Sequence, residues 1–298
     1  MGAVAVLGTG RMGGAIARRL KASGFDLTLW NRAKEKAQRL NVGAVASTPA
    51  EAIHGADIVI SSLTGPAAVR GVYWGPNGVF TNSAGKLLIE MSTAGPEIAE
   101  QLAREAKAKG ARLLEAPVLG SVPAVESGTL AVLVGGAPLD LVRARPVLSR
   151  LGEIHYVGEL GSAARLKLVA NSMLAITSAA AAELLTAGTA AGLNRDQLFW
   201  VLARFVPALK MRESGFLQGQ YEPTMFAIRD LIKDLELALD VYRRANAEVP
   251  LTIETRALFE DITPQADNLD ISAIVKRYTT HRPPDGDPTT HPSVPDSH

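Results

Sequence analysis

The chain has 298 residues, 47% of them hydrophobic, which is enough to bury a substantial core and favours two domains over one. Its 31 Lys and Arg nearly balance 30 Asp and Glu, so no global field draws it to nucleic acid or to an anionic membrane, and small-molecule chemistry is the default. With no cysteine, there is no disulfide, thiolate metal site, iron–sulfur cluster or cysteine nucleophile.

Aromatic residues are scarce at 5%, a composition that suits helices on a parallel sheet rather than a β-sandwich. The N-terminus runs Gly2-Ala3-Val4-Ala5-Val6-Leu7 into a glycine turn, without a basic leader or a membrane-spanning run, so a cytoplasmic setting is expected. Strands are predicted at Ala3 to Leu7, Leu27 to Trp30, Ile58 to Ser61, Leu87 to Met91, Arg112 to Ala116 and Ala131 to Val134, with a weaker one at Ile154 to Val157. Helical spacing fills Gly14 to Ser23, Ala33 to Leu40 and Pro96 to Lys109, the last stopping at Gly110. This alternation is that of βαβ units around a mainly parallel sheet, an N-terminal Rossmann domain over residues 1–161.

After Gly161 strand runs give way to helical patterns at Ser162 to Ala191, Asn194 to Ala203 and Met225 to Ala247. Residues 162–280 are therefore expected to form an all-α domain for substrate binding and dimerisation, in an α/β protein whose two domains are joined by a long interdomain helix. That helix is rich in alanine, which suits either a dimer interface or burial within one chain. Residues 281–298 are rich in Pro, Asp, Thr and Ser with almost nothing apolar, the composition of a disordered tail.

Gly8-Thr9-Gly10-Arg11-Met12-Gly13 fits G-x-G-x-x-G between the first strand and a helix, where the pattern has mechanical meaning. Gly8 allows a tight turn, Gly10 lets the backbone approach a pyrophosphate, and Gly13 lets helix pack on strand; the helix start then offers free amides and a positive dipole end. At the end of the second strand, where an NAD site wants a carboxylate for the ribose, the chain has Asn31-Arg32, with Lys36 following. A guanidinium pairs with a 2′-phosphate, so NADP(H) is expected over NAD(H), unless Arg32 and Lys36 are only a solvated helix start.

Lys167 and Asn171, four apart in a predicted helix, can meet one ligand. An ammonium there can stabilise charge growing on a carbonyl oxygen and deliver the proton, making Lys167 the candidate general acid/base; Asn171 would hold substrate or orient the lysine. Thr93 should stand at the carboxyl end of the sheet, within reach of the nicotinamide or its ribose. In the Leu119-Gly120-Ser121 turn, backbone amides could receive a substrate carboxylate. His54, His155, His281, His291 and His298 are scattered without a ligand pattern, so no metal is expected, and neither a G-x-S-x-G elbow nor a Walker lysine is present.

Taken in order, Gly8 to Gly13, Asn31-Arg32, Met91-Ser92-Thr93, Glu115-Ala116-Pro117-Val118, and Gly161 through Lys167 to Asn171 resemble the β-hydroxyacid dehydrogenases over nearly all of the chain before the tail. Asn31-Arg32 and Gly120-Ser121 are most similar to the glyoxylate/succinic semialdehyde reductases within that family. The resemblance implies an NADPH-dependent reductase of a small aldehyde or keto acid, or the reverse dehydrogenase, with Lys167 catalytic; a homo-oligomer, a dimer built on the alanine-rich helix, is expected beside it. It also implies that Phe226, Lys233 and Asp234 lie beside nicotinamide and substrate, Lys233 serving both; read without the family, Lys233 and Asp234 are as well explained as a surface pair. Leu119 replaces the family's usual Ser, removing a hydroxyl from the carboxylate pocket. That departure favours an imine reductase on the same scaffold, whereas Lys167 favours carbonyls; a non-catalytic dinucleotide-binding scaffold protein ranks third because Lys167 and Asn171 are both present.

Overall fold

The computed structural model describes residues 2–280; the expected disordered tail, with His281, His291 and His298, lies outside them. In chain order the strands are β1 (Ala3–Leu7), β2 (Asp26–Trp30), β3 (Ala44–Val45), β4 (Ile58–Ser61), β5 (Leu87–Glu90), β6 (Arg112–Glu115), β7 (Val118–Leu119), β8 (Leu130–Gly136) and β9 (Gly152–Gly158). Interleaved helices are α1 (Arg11–Ala22), α2 (Lys34–Gln38), α3 (Pro49–Ile53), α4 (Pro66–Trp74), α5 (Pro96–Ala108), α6 (Val122–Ser127) and α7 (Pro138–Leu148). From there the chain is helical: α8 (Ser162–Ala190), α9 (Arg195–Phe205), α10 (Glu213–Gln218), α11 (Ile228–Arg244), α12 (Pro250–Glu260), α13 (Thr263–Ala266) and α14 (Val275–Thr280).

Six strands run parallel in the order β3-β2-β1-β4-β5-β6, the Rossmann order, with the topological switch between β1 and β4. β6 and β7 both pair antiparallel with one edge of β8, and β9 runs parallel to β8 on its other side. Alternation along the buried strands feeds two cores: Val4, Val6 and Ile60 belong to one, Ala5, Leu7 and Val59 to the other. Each such Val, Ile or Leu contributes about 1.5–3 kcal/mol by leaving water, which is why these strands read as continuous apolar runs. α5 starts on Pro96 and stops before Gly110, whose φ of +69° accommodates the turn out of the helix.

Two compact units emerge among the described residues: those up to Leu174 with Asp230–Ile253, and Ala175–Arg229 with those from Glu254 on. The last strand ends at Gly158 and α8 begins at Ser162, yet the first unit extends through the first thirteen residues of α8 and takes in most of α11. In the second unit a buried Asp270 accepts from Arg212 Nε at 3.0 Å, from the Met225 and Phe226 amides at 3.0 Å each, and from Ser272. So many donors satisfy both oxygens and make burial of the charge tolerable. By length and composition alone α8 could cross a membrane; half of its most apolar stretch is buried within the fold.

Candidate active site

At the carboxyl end of β1 the backbone turns at Gly8, φ +88°, and two glycines are fixed by space: a Cβ on Gly8 would lie 2.3 Å from Ser62 O, and one on Gly13 1.9 Å from Gly8 O. Gly10 differs, with nothing within 4 Å of the place where its Cβ would stand. It caps α1 without any side-chain hydrogen bond, leaving first-turn amides open to an anion. Thr9 N donates to Asn31 Oδ1 at 3.0 Å, and Asn31 Nδ2 to Ala33 O at 2.9 Å, so Asn31 ties the glycine turn to the loop after β2. The buried Thr9 Oγ1 has no hydrogen-bond partner. Arg32 and Lys36 are exposed and make no ion pair with a described residue.

Beyond the ends of β4 and β5, α11 enters the same unit. Lys233 Nζ donates to Thr93 O at 2.9 Å and pairs with Asp234 Oδ1 at 2.5 Å. Asp234 Oδ2 accepts from Asn171 Nδ2 at 2.6 Å, joining α11 to α8. Gly65 leaves room for the lysine, since a Cβ there would meet Lys233 Cδ at 2.9 Å. Burial pushes the Asp234 carboxyl up, while Lys233, Lys167 and Asn171 hold it towards the anion. Lys167 is brought down from 10.5 to about 8, first by burial and also by Lys233, with Asp234 opposing. A lysine poised there exchanges its proton near neutral pH. Two ammonium groups around one carboxylate also leave the cluster suited to an anionic substrate.

Residues 3–159 match the family model described as the NAD binding domain of 6-phosphogluconate dehydrogenase, and residues 161–278 the one described as NAD-binding of NADP-dependent 3-hydroxyisobutyrate dehydrogenase. A 3-hydroxyisobutyrate dehydrogenase of Pseudomonas aeruginosa is 35% identical over 293 residues, covering 92% of this chain and 98% of that one. The chain belongs to the β-hydroxyacid dehydrogenase family. Glyoxylate/succinic semialdehyde reductase 2 of Arabidopsis thaliana, chloroplastic, is 31% identical over 86% of this chain and 74% of its own. Among solved structures, Mycobacterium tuberculosis 3-hydroxyisobutyrate dehydrogenase with L-serine aligns at TM-score 0.81 and 27% identity, over 95% of this chain and all of that one. As a β-hydroxyacid dehydrogenase, this protein is an NAD(P)-dependent oxidoreductase of the hydroxyacid dehydrogenase type.

Within this β-hydroxyacid dehydrogenase, the first unit holds Gly8 to Gly13, Asn31, Arg32, Lys36, Thr93, the Leu119–Ser121 turn, Lys167, Asn171, Lys233 and Asp234. Phe226 falls in the second unit, its amide on Asp270 and its carbonyl accepting from Ile271 N at 3.0 Å. Leu119 is half-buried on β7, and the Ser121 hydroxyl is buried without a partner. Open space over Gly10, free amides at α1 and the orphaned Thr9 hydroxyl fit the pyrophosphate of a dinucleotide. No group of His, Cys, Asp and Glu among the described residues could hold a metal ion.

Two buried carboxylates escaped sequence reasoning as site components. Glu90, at the end of β5, accepts from Ser61 Oγ, itself bonded to Tyr73 OH at 2.7 Å, and from Ser92 N at 2.7 Å; Ser92 Oγ in turn accepts from Leu63 N at 2.7 Å. This chain of bonds fixes the loops after β4 and β5. Burial pushes the Glu90 carboxyl up, against the pull of the two serines. Glu115 is its register partner on β6. For Glu90, a charged residue closing the otherwise apolar strand Leu87–Glu90 was the available signal.

Proposed function

We propose that the protein is an NADPH-preferring oxidoreductase interconverting a small aldehyde or keto acid and the corresponding hydroxyacid, with Lys167 as general acid/base. The observation that carries this reading is the convergence of Lys167, Asn171, Asp234 and Lys233 with Lys167 brought to about 8. In reduction, Lys167 donates its proton to the carbonyl oxygen as negative charge develops; in oxidation, the neutral amine accepts the hydroxyl proton. Asn171, held by Asp234 through its Nδ2, keeps its amide oxygen available to the lysine or to a substrate hydroxyl. Lys233 and the amides of the Leu119-Gly120-Ser121 turn would receive the substrate carboxylate.

Gly8 to Gly13 and the start of α1 would hold the pyrophosphate, Thr93 the nicotinamide end, and Arg32 with Lys36 the 2′-phosphate. When bound, the cofactor supplies the hydride. The unpaired state of Arg32 and Lys36 supports the preference for NADPH. The proposed division into a cofactor domain over 1–161 and a helical substrate and dimerisation domain over 162–280 is supported by two family matches that meet between residues 159 and 161. A cytoplasmic homodimer belongs to the same reading, supported by the exposed Trp200, Val201 and Phe205 on α9; sedimentation at the mass of a single chain would remove it.

Leu119 favours a second reading, imine reduction, because the turn offers one hydroxyl fewer to a carboxylate. The deciding assay follows NADPH absorbance with glyoxylate, succinic semialdehyde and a cyclic imine, with NADH in parallel and Lys167→Ala as control. Lys167-dependent turnover of an aldehyde acid with NADPH favoured is expected; imine-only turnover, or indifference to Lys167, overturns the mechanism.

A further inference from the structure

Glu115 is 2% exposed, and its carboxylate does not face substrate-binding residues but the start of α8. Its Oε1 accepts from Ala163 N at 2.7 Å, and the amides of Gly161 and Ala164 also favour its ionised form. A helix start has donors that its own turns cannot satisfy, and a buried start needs an acceptor from elsewhere. The fold keeps space for this one: a Cβ on Gly135 of β8 would lie 2.3 Å from Glu115 Oε1.

The place of this bond on α8 decides which face of the helix it anchors. Ala163, Lys167 and Asn171 are spaced four apart, so the amide held by Glu115 starts the helical face that carries the candidate acid/base and its partner. On the other side, three residues after Glu115 the chain enters Val118–Leu119 and then the Gly120-Ser121 turn. One side chain thus connects the root of the substrate turn to the root of the lysine helix.

We propose that Glu115 is a positioning residue whose carboxylate clamps the first turn of α8 to the end of β6, holding Lys167 in register with the Leu119–Ser121 turn. This deepens the assignment of Lys167 as acid/base and rests on it. The groups facing Glu115 are its register partner Glu90 on β5 and, on α8, Arg165, which pairs with Glu100 of α5 at 3.2 Å. Burial pushes the Glu115 carboxyl up from 4.5 to about 6, against the helix amides and Arg165. The other oxygen, Oε2, is buried without a partner and takes the proton in acid, which removes the negative charge that strengthens the bonds from the helix start, so acid loosens the clamp without removing any group that touches substrate.

The test compares the full-length protein with Glu115→Gln and Glu115→Asp. Three quantities are read: NADPH affinity by fluorescence titration, kcat and KM between pH 5 and pH 9, and trinitrobenzenesulfonate labelling of Lys167 against pH by peptide mass spectrometry. For the wild type, kcat should fall as pH drops through about 6. Glu115→Gln should bind NADPH within about twofold of wild type, lose about tenfold or more in kcat with KM little changed, and lack the acid limb. Its Lys167 labelling midpoint should rise from about 8 towards 10.5 as the helix start loosens and the amine gains water. Glu115→Asp should recover part of kcat and move the acid limb to lower pH.

Wild-type kcat and an unaltered acid limb in Glu115→Gln overturn the proposal. Should Glu115→Gln not fold, an acid limb unmoved in Glu115→Asp does so. If the wild type turns over no carbonyl, the assignment of Lys167 fails, and the labelling midpoint still judges the clamp: equal midpoints in wild type and variant overturn it.

Discussion

Asp234 Oδ2 and Asn171 Nδ2 meet at 2.6 Å although 63 residues separate them, and the bond makes α8 and α11 two walls of one site. Since the other Asp234 oxygen holds Lys233, the aspartate orders both neighbours of Lys167. Asp234→Asn keeps the shape and removes the charge. Asp234 favours protonated Lys167, so its loss lowers the lysine further below 10.5. The reductive kcat, which needs the ammonium, should fall by about 10–100-fold at neutral pH, and its alkaline limb should move to lower pH. A pH–rate profile in the direction of carbonyl reduction checks this; an unshifted limb removes Asp234 from the cluster.

Lys167→Met should separate stability from activity. The folded-state value of about 8 lies below the ordinary 10.5, so between these values the unfolded chain binds more protons and stability rises with pH; below about 8 the buried ammonium costs its full penalty. Replacing it with an apolar chain of similar length should raise Tm by a few degrees at pH 7, leave Tm little changed at pH 10, and lower kcat by about 10²–10⁴-fold. Thermal unfolding at both pH values is the measurement. A lower Tm at pH 7 contradicts the burial penalty.

Arg32→Ala combined with Lys36→Ala should weaken NADPH by about 10–100-fold in kcat/KM, the range expected for losing charge-assisted hydrogen bonds, and leave NADH nearly unchanged. Both side chains are exposed and unpaired, so no loss of fold should accompany the change. Equal losses with the two cofactors would place these cations elsewhere than the 2′-phosphate.

The glycines of the first turn make distinct predictions. Gly13→Ala puts a carbon 1.9 Å from Gly8 O, and should lower Tm as well as cofactor affinity. At Gly10 the added methyl meets no protein atom within 4 Å, so Gly10→Ala should keep the wild-type Tm and weaken NADPH binding. Calorimetry with and without NADPH distinguishes the two; undiminished affinity in Gly10→Ala would show that the open space is not where phosphate comes.

Much of the fold and site was legible in the sequence because its signals are local. Ala3 to Leu7 is apolar on both faces and runs into the glycine turn, and Lys167 and Asn171 share a face through helix periodicity alone. The two-residue strands β3 and β7 are too short to show a period. The short helices α3 and α4 also escape a reading by period, although each starts on a proline and Thr48 caps Glu51 N at 3.1 Å in α3. What the sequence could not place was long-range: that Lys233 would reach Thr93 O, and that Glu115 would reach Ala163 N, are products of packing across 140 and 48 residues. Lys233 and Asp234 resemble an ordinary surface pair until α11 is laid beside α8.

The bond from Thr9 N to Asn31 Oδ1 has an evolutionary consequence. An aspartate has the same shape as asparagine and accepts the same hydrogen bond from Thr9 N, but it cannot donate to Ala33 O, so Asn31→Asp would keep one of the two bonds that set this turn and lose the other while setting a negative charge beside the position read as the 2′-phosphate site. Loop geometry and cofactor choice are therefore joined in one side chain here. A lineage carrying this loop lies a single codon base away from that charge, but reaching it also means resettling the loop after β2.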